Sequence, residues 1–121
     1  MKFGNQGEFM NELVQLQNSP VTADTPGLTE LEIGQLIMKL PGWETHKKKG
    51  ELRLEKSFQF EDFSQALTFT NRVGKLANEE DHHPALTLSY NKVRVSLTTH
   101  EAEGLSENDF VMAGIFDGLG Y

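Results

Sequence analysis

The sequence contains no cysteine, which removes disulfide frameworks, thiolate nucleophiles and cysteine-ligated zinc together. Positive charge is scarce. Eleven lysines and arginines stand against eighteen aspartates and glutamates, a formal net charge of -7, and the one basic cluster, Lys47-Lys48-Lys49, is cancelled by its neighbours. Nucleic acid and anionic membrane surfaces need clustered cations, so direct binding to either is not expected. Long apolar runs are missing too. No segment approaches the roughly 20 residues of a membrane span, and the opening stretch MKFGNQGEFMNELVQ lacks the continuous apolar run of a secretory signal. The expectation is a soluble, cytoplasmic protein, and 121 residues is the length of one domain.

Residues 1–27 are polar and carry Pro20, Pro26 and Gly27, which reads as a partly flexible N-terminal extension joined to a domain over residues 28–121. Phe9, Leu13 and Leu16 sit at helical spacing and allow a short helix within it. The domain opens where Thr29 and Glu32 form a capping box, followed by a stripe of Leu31, Ile33, Leu36, Ile37 and Leu40 that Pro41-Gly42 ends. Next, Leu52, Leu54, Phe58 and Phe60 alternate with Arg53, Glu55, Ser57 and Gln59, the pattern of a strand with one wet face. Gly50 marks a turn, which makes Trp43 to His46 a candidate partner strand.

A second helix starts at Asp62, with Phe63, Ala66, Leu67, Thr70, Val73 and Leu76 or Ala77 at helical spacing. It must stop near Asp81, because Pro84 disfavours helical backbone at the residue before it. Leu86 and Leu88, then Val93, Val95 and Leu97, alternate as two strands around Tyr90-Asn91-Lys92, and Ser106 to Asp109 resembles a second capping box opening a last helix. The order helix, strand, strand, helix, strand, strand, helix predicts an α+β domain: a four-stranded antiparallel sheet with three helices packed on one face. The apolar run FVMAGIF in the last helix offers a surface for a partner.

The segment EDHHP places His82 and His83 side by side at a helix exit, and His100 follows beyond the predicted hairpin. A hairpin brings its ends together, so the three imidazoles are candidates for one mouth. Three accounts compete. Loop histidines at a helix end are favoured by the helix dipole when protonated. A metal site needs imidazoles converging on one ion, which adjacent residues do poorly, and no HExxH spacing is present. Acid/base chemistry needs imidazoles active near neutral pH with groups that orient them. Asp81, Glu101, Thr98 and Thr99 stand alongside, whereas Ser89 and Ser96 lie in strands without an elbow motif. Proton transfer to and from a small bound molecule fits this inventory best.

EDHHP, YNKVRVSLTTH and GLSENDF, with PGW at 41–43 and the Phe58 to Phe63 segment upstream, resemble the signature of the pterin-4a-carbinolamine dehydratases over about residues 28–118. The resemblance implies a hydro-lyase that converts 4a-hydroxytetrahydropterin to quinonoid dihydropterin and water. Such an enzyme recycles tetrahydrobiopterin for an aromatic amino-acid hydroxylase and uses neither metal nor organic cofactor. It assigns His82, His83 and His100 to catalysis, and Trp43, Asp81, Pro84, Thr98, Thr99, Glu101 and Asp109 to the pterin pocket. For three of these a plainer account stands beside it: core packing for Trp43, a helix-exit cap for Asp81, a capping-box carboxylate for Asp109. Some family members carry an acidic residue four places before the first histidine, where this chain has Asn78. The family also implies a homodimer or homotetramer. Certain members stabilise the dimer of a homeodomain transcription factor, which makes a protein-binding module the alternative, along with dehydration of another pterin-like carbinolamine.

Overall fold

The computed structural model describes residues 25–119, so the helix expected on Phe9, Leu13 and Leu16 lies outside the described residues. The elements are α1 (Glu30–Ile37), β1 (Glu44–Lys48), β2 (Glu51–Gln59), α2 (Phe63–Glu80), β3 (Ala85–Ser89), β4 (Lys92–Leu97), a short 3-10 turn (His100–Ala102) and α3 (Glu107–Asp117). The strands form one antiparallel sheet in the order β1-β2-β4-β3. The α+β class and the element order are those the sequence predicts.

Local chemistry explains the boundaries. Thr29 Oγ1 accepts the Glu32 N–H at 3.2 Å while Glu32 Oε1 accepts the Thr29 N–H at 2.9 Å, the reciprocal bonds that open α1. The helix closes at Ile37 rather than at Pro41, because the chain tightens into i→i+3 bonds from Lys39 to Leu36 and from Leu40 to Ile37. Leu31, placed on the buried stripe by spacing, is 72% exposed. Lys49 and Gly50, both with positive φ, make the two-residue turn between β1 and β2.

Alternation along β2 and β4 puts Leu54, Phe58, Val93, Val95 and Leu97 into one core with Ala66, Phe69 and Val73 of α2 and Phe110, Met112, Ala113 and Phe116 of α3. Asp62 caps α2 by accepting the Gln65 N–H at 2.9 Å. The buried face of α2 is Ala66, Phe69, Val73 and Ala77. Sequence spacing puts Phe63 and Leu67 on it, but both are exposed. Phe69 decides the face: its ring packs 4.6 Å from Phe58 and 5.1 Å from Phe60, and this aromatic cluster turns Phe63 and Leu67 outward.

The expected docking surface on α3 needs correction as well. Phe110, Val111, Met112, Ala113 and Phe116 are all buried within this one chain, so the FVMAGIF run is consumed by the protomer's own core. Among the described residues, the exposed large apolar side chains are instead Leu31 and Met38 near α1, Phe63 and Leu67 on α2, and Tyr90.

Candidate active site

The site begins with how α2 ends. Asp81 takes a left-handed conformation, φ 53° and ψ 42°, which aspartate tolerates better than most residues. The His82 N–H then reaches back to the Ala77 carbonyl at 3.1 Å. This sharp exit sends two adjacent imidazoles into different surroundings: His82 is buried at 7% exposure, and His83 is exposed. Asp81 itself is exposed and serves as the helix-exit cap.

The buried imidazole meets α3. His82 Nε2 lies 2.7 Å from Asp109 Oδ1, and Asp109 is fully buried. Asp109 Oδ2 accepts the Thr99 hydroxyl at 2.7 Å and the Ser106 N–H at 3.0 Å, and the Thr99 and Ser106 hydroxyls are themselves 2.7 Å apart. An ionised carboxylate only accepts, so Nε2 of His82 carries the hydrogen and Nδ1 is left with the lone pair whenever the ring is neutral. Asp109 therefore does two jobs at once: one oxygen caps the α3 entry and the other holds the histidine.

The remaining histidines are arranged differently. His83 Nε2 donates to Asn78 Oδ1 at 3.0 Å, a neutral amide where some relatives by resemblance carry a carboxylate. His100 stands on the 3-10 turn with its side chain 88% exposed and Nδ1 3.3 Å from Glu51 Oε2. The pairing of Ala85 with Ser96 puts the two segments, His82 to Pro84 and Thr98 to His100, at the same end of the β3-β4 hairpin. The link between them is Asp109, which binds His82 through one oxygen and Thr99, the neighbour of His100, through the other.

Other expected residues fall in or out of this group by their contacts. Pro84 is partly buried just before β3, and Glu101 is exposed beside His100. The Thr98 hydroxyl is taken up by the carbonyls of Leu52 at 2.9 Å and Gly104 at 3.1 Å, a loop-closing role. Trp43 belongs to the core: it is 4% exposed, stands edge-on to Phe58 at 6.0 Å and donates its indole N–H to Asp117 at 3.0 Å. Asp117 lies eight residues beyond Asp109 on α3, about 12 Å along the helix axis. Sequence reasoning missed two supporting groups, the Ser106 hydroxyl and Glu51 beside His100, and marked the Asn78 position without assigning it His83 as a partner. Of the two missed, only Ser106 carried a signal, through its capping box. Among the described residues, no three His, Cys, Asp or Glu side chains come together in a way that could hold a metal ion.

Comparison with known proteins gives one consistent answer. Residues 26–119 match the family model described as pterin 4 alpha carbinolamine dehydratase. The chain is 46% identical over 110 residues to a Chlorobium limicola protein named "Putative pterin-4-alpha-carbinolamine dehydratase", covering 91% of this chain and 97% of the relative. It is also similar to the crystal structure of a transcriptional coactivator/pterin dehydratase from Brucella melitensis, with a TM-score of 0.68 and 37% identity over 75% of this chain and 95% of the other.

Proposed function

The chain belongs to the pterin 4 alpha carbinolamine dehydratase family, and from that premise we propose that it dehydrates 4a-hydroxytetrahydropterin to quinonoid dihydropterin by histidine acid/base catalysis. The observation that carries the proposal is the 2.7 Å contact between His82 Nε2 and buried Asp109. A carboxylate against Nε2 stabilises the imidazolium that forms when Nδ1 accepts a proton, which suits His82 to the role of base.

In the reaction, the N5–H proton passes to His82 and its bonding pair closes the C4a=N5 bond. The C4a–O bond breaks with the oxygen keeping its pair, and a proton from the acid completes the departing water. His83 and His100 are the exposed imidazoles at the same end of the hairpin, and they are the proposed proton source for the hydroxyl. His83 meets a neutral amide where His82 meets a carboxylate, and that difference is the basis for dividing acid from base between them. No electron leaves or enters, and no step calls for a metal or an organic cofactor.

The test is the loss of the 4a-hydroxy compound followed against its spontaneous decay. Purified protein should accelerate it, and exhaustive chelation should leave the rate unchanged. Activity lost on chelation and restored by zinc would replace the proton-transfer mechanism with a metal-assisted one. His46 provides the control. It pairs across the strands with Arg53 on the sheet face away from the helices and contacts Glu44 at 3.2 Å, so His46→Ala should keep wild-type turnover.

We further propose a homodimer or homotetramer. Phe63 and Leu67, four residues apart on α2, present exposed apolar surface on one side of that helix. Light scattering at micromolar concentration should show an oligomer that Phe63→Asp weakens, and a monomer in both would reject the assembly. The same surface supports the second reading, a dimerisation partner for another protein, since the Brucella relative is described as a coactivator as well as a dehydratase. Recycling of tetrahydrobiopterin for an aromatic amino-acid hydroxylase is the physiological setting we propose.

A further inference from the structure

We propose that Ser106 and Thr99 act in series as positioning residues for His82, a one-way chain of donated hydrogen bonds that fixes which oxygen of Asp109 meets the imidazole. The inference rests on the assignment of His82 as the base. It reassigns Thr99 from contact with substrate to support of the catalytic ring, and gives the Ser106 hydroxyl a role that helix capping does not require.

Proton counting sets the direction. Thr99 has one hydroxyl hydrogen and lies 2.7 Å from both Asp109 Oδ2 and Ser106 Oγ. A carboxylate cannot donate, so Thr99 gives its hydrogen to Asp109, and the contact with Ser106 must be Ser106 donating to Thr99. The reverse chain would put a carboxyl proton on Oδ2. That proton would meet the Ser106 N–H, already 3.0 Å from the same oxygen, and the Ser106 hydroxyl hydrogen would have no acceptor among the described residues. Ser106 is 1% exposed, so water would not readily satisfy it. Only the forward chain leaves every donor satisfied.

The consequence is geometric. A carboxylate turns about one bond beyond its β-carbon, and here Oδ2 is pinned by two donors from different segments: the hydroxyl of Thr99, just after β4, and the N–H of Ser106 at the α3 entry. With Oδ2 held, Oδ1 faces His82 Nε2. The Ser106 hydroxyl faces the Asp109 backbone N–H in the capping box, and it reaches the Asp109 carboxylate only through Thr99. It acts on the carboxylate by committing the Thr99 hydroxyl to it.

The experiment combines steady-state kinetics of dehydration with nitrogen-15 NMR of the His82 ring in the full chain, at a pH where the imidazole is neutral. Wild type should show the Nε2–H tautomer. Thr99→Val should lower kcat about 10-fold with KM unchanged and lose that tautomer, whereas Thr99→Ser should keep the tautomer and stay within about 3-fold of wild type. Ser106→Ala should cost about 3-fold. Because the hydroxyls act in series, the double variant Thr99→Val/Ser106→Ala should be no slower than Thr99→Val alone. Losses that multiply in the double variant would overturn the proposal, as would a raised KM at full kcat, which would place Thr99 on the substrate. If the wild-type chain proves inactive as a dehydratase, the NMR arm still decides: an Nε2–H tautomer retained in Thr99→Val rejects the chain of donors whatever the reaction. Should Thr99→Val not fold, Thr99→Ala carries the same comparison.

Discussion

Replacing His82 with alanine is expected to lower turnover by about 10²–10⁴-fold, the usual worth of a positioned acid or base, with a smaller change in pterin binding. The expectation follows from the environment of the ring. His82 is the one histidine of the three that is both buried and held by a carboxylate, at 2.7 Å. A proton accepted there is stabilised by a fixed charge in a site from which water is largely excluded, where electrostatic interactions are stronger than in bulk solvent. His83→Ala and His100→Ala should each cost less, because two exposed imidazoles at one end of the hairpin can partly replace each other as proton donors. Kinetics on the three single variants and on His83→Ala/His100→Ala check this ordering. A double loss well beyond the product of the single losses is the signature of shared work.

Asp109 should produce the largest effect on stability. In Asp109→Ala the His82 ring N–H, the Thr99 hydroxyl and the Ser106 N–H all lose their acceptor at a fully buried position. Each unmade bond costs about 1–3 kcal/mol and the terms do not simply add, so a loss of about 3–5 kcal/mol is expected by chemical denaturation. That is a large fraction of the roughly 5–15 kcal/mol that holds a domain of this kind together. Asp109→Asn should be milder for folding and nearly as severe as His82→Ala for activity. Its amide oxygen can accept from Thr99 and Ser106, which turns the NH₂ group toward His82 and forces the ring into the opposite tautomer. Wild-type turnover in Asp109→Asn would remove the carboxylate from the mechanism.

Much of this was legible in the sequence because it rests on local rules. Thr29 with Glu32, Asp62 with Gln65 and the Ser106 to Asp109 pair announce three helix starts through short-range hydrogen bonds. The period-two alternation of Leu52 to Gln59 fixes both a strand and its buried face. The helix exit before Pro84 was legible for the same reason. What spacing could not supply was rotation and reach. The face of α2 is chosen by Phe69 meeting Phe58 and Phe60, a tertiary contact that no helical wheel contains, so spacing alone points Phe63 and Leu67 inward. The last helix reads as a docking surface because apolar residues around its whole circumference do not say whether the protomer or a partner covers them. In the site, the histidines stand out by adjacency, but the division between a buried His82 and an exposed His83 depends on the left-handed turn at Asp81. Glu51 has no motif at all, and Asn78 stood out only as a departure from the family pattern; the partners of both become visible only when side chains are placed.

The pH dependence of single-turnover dehydration, measured on chelator-treated wild type and on folded His82→Ala, tests the central claim most directly. A base must be neutral to act, so a reaction that depends on one loses rate on the acid side. The account predicts acceleration over the spontaneous reaction with that acidic limb in wild type, and a slow rate without it in His82→Ala. A wild-type protein that gives no acceleration, or a folded His82→Ala variant that keeps both the rate and the limb, would contradict it.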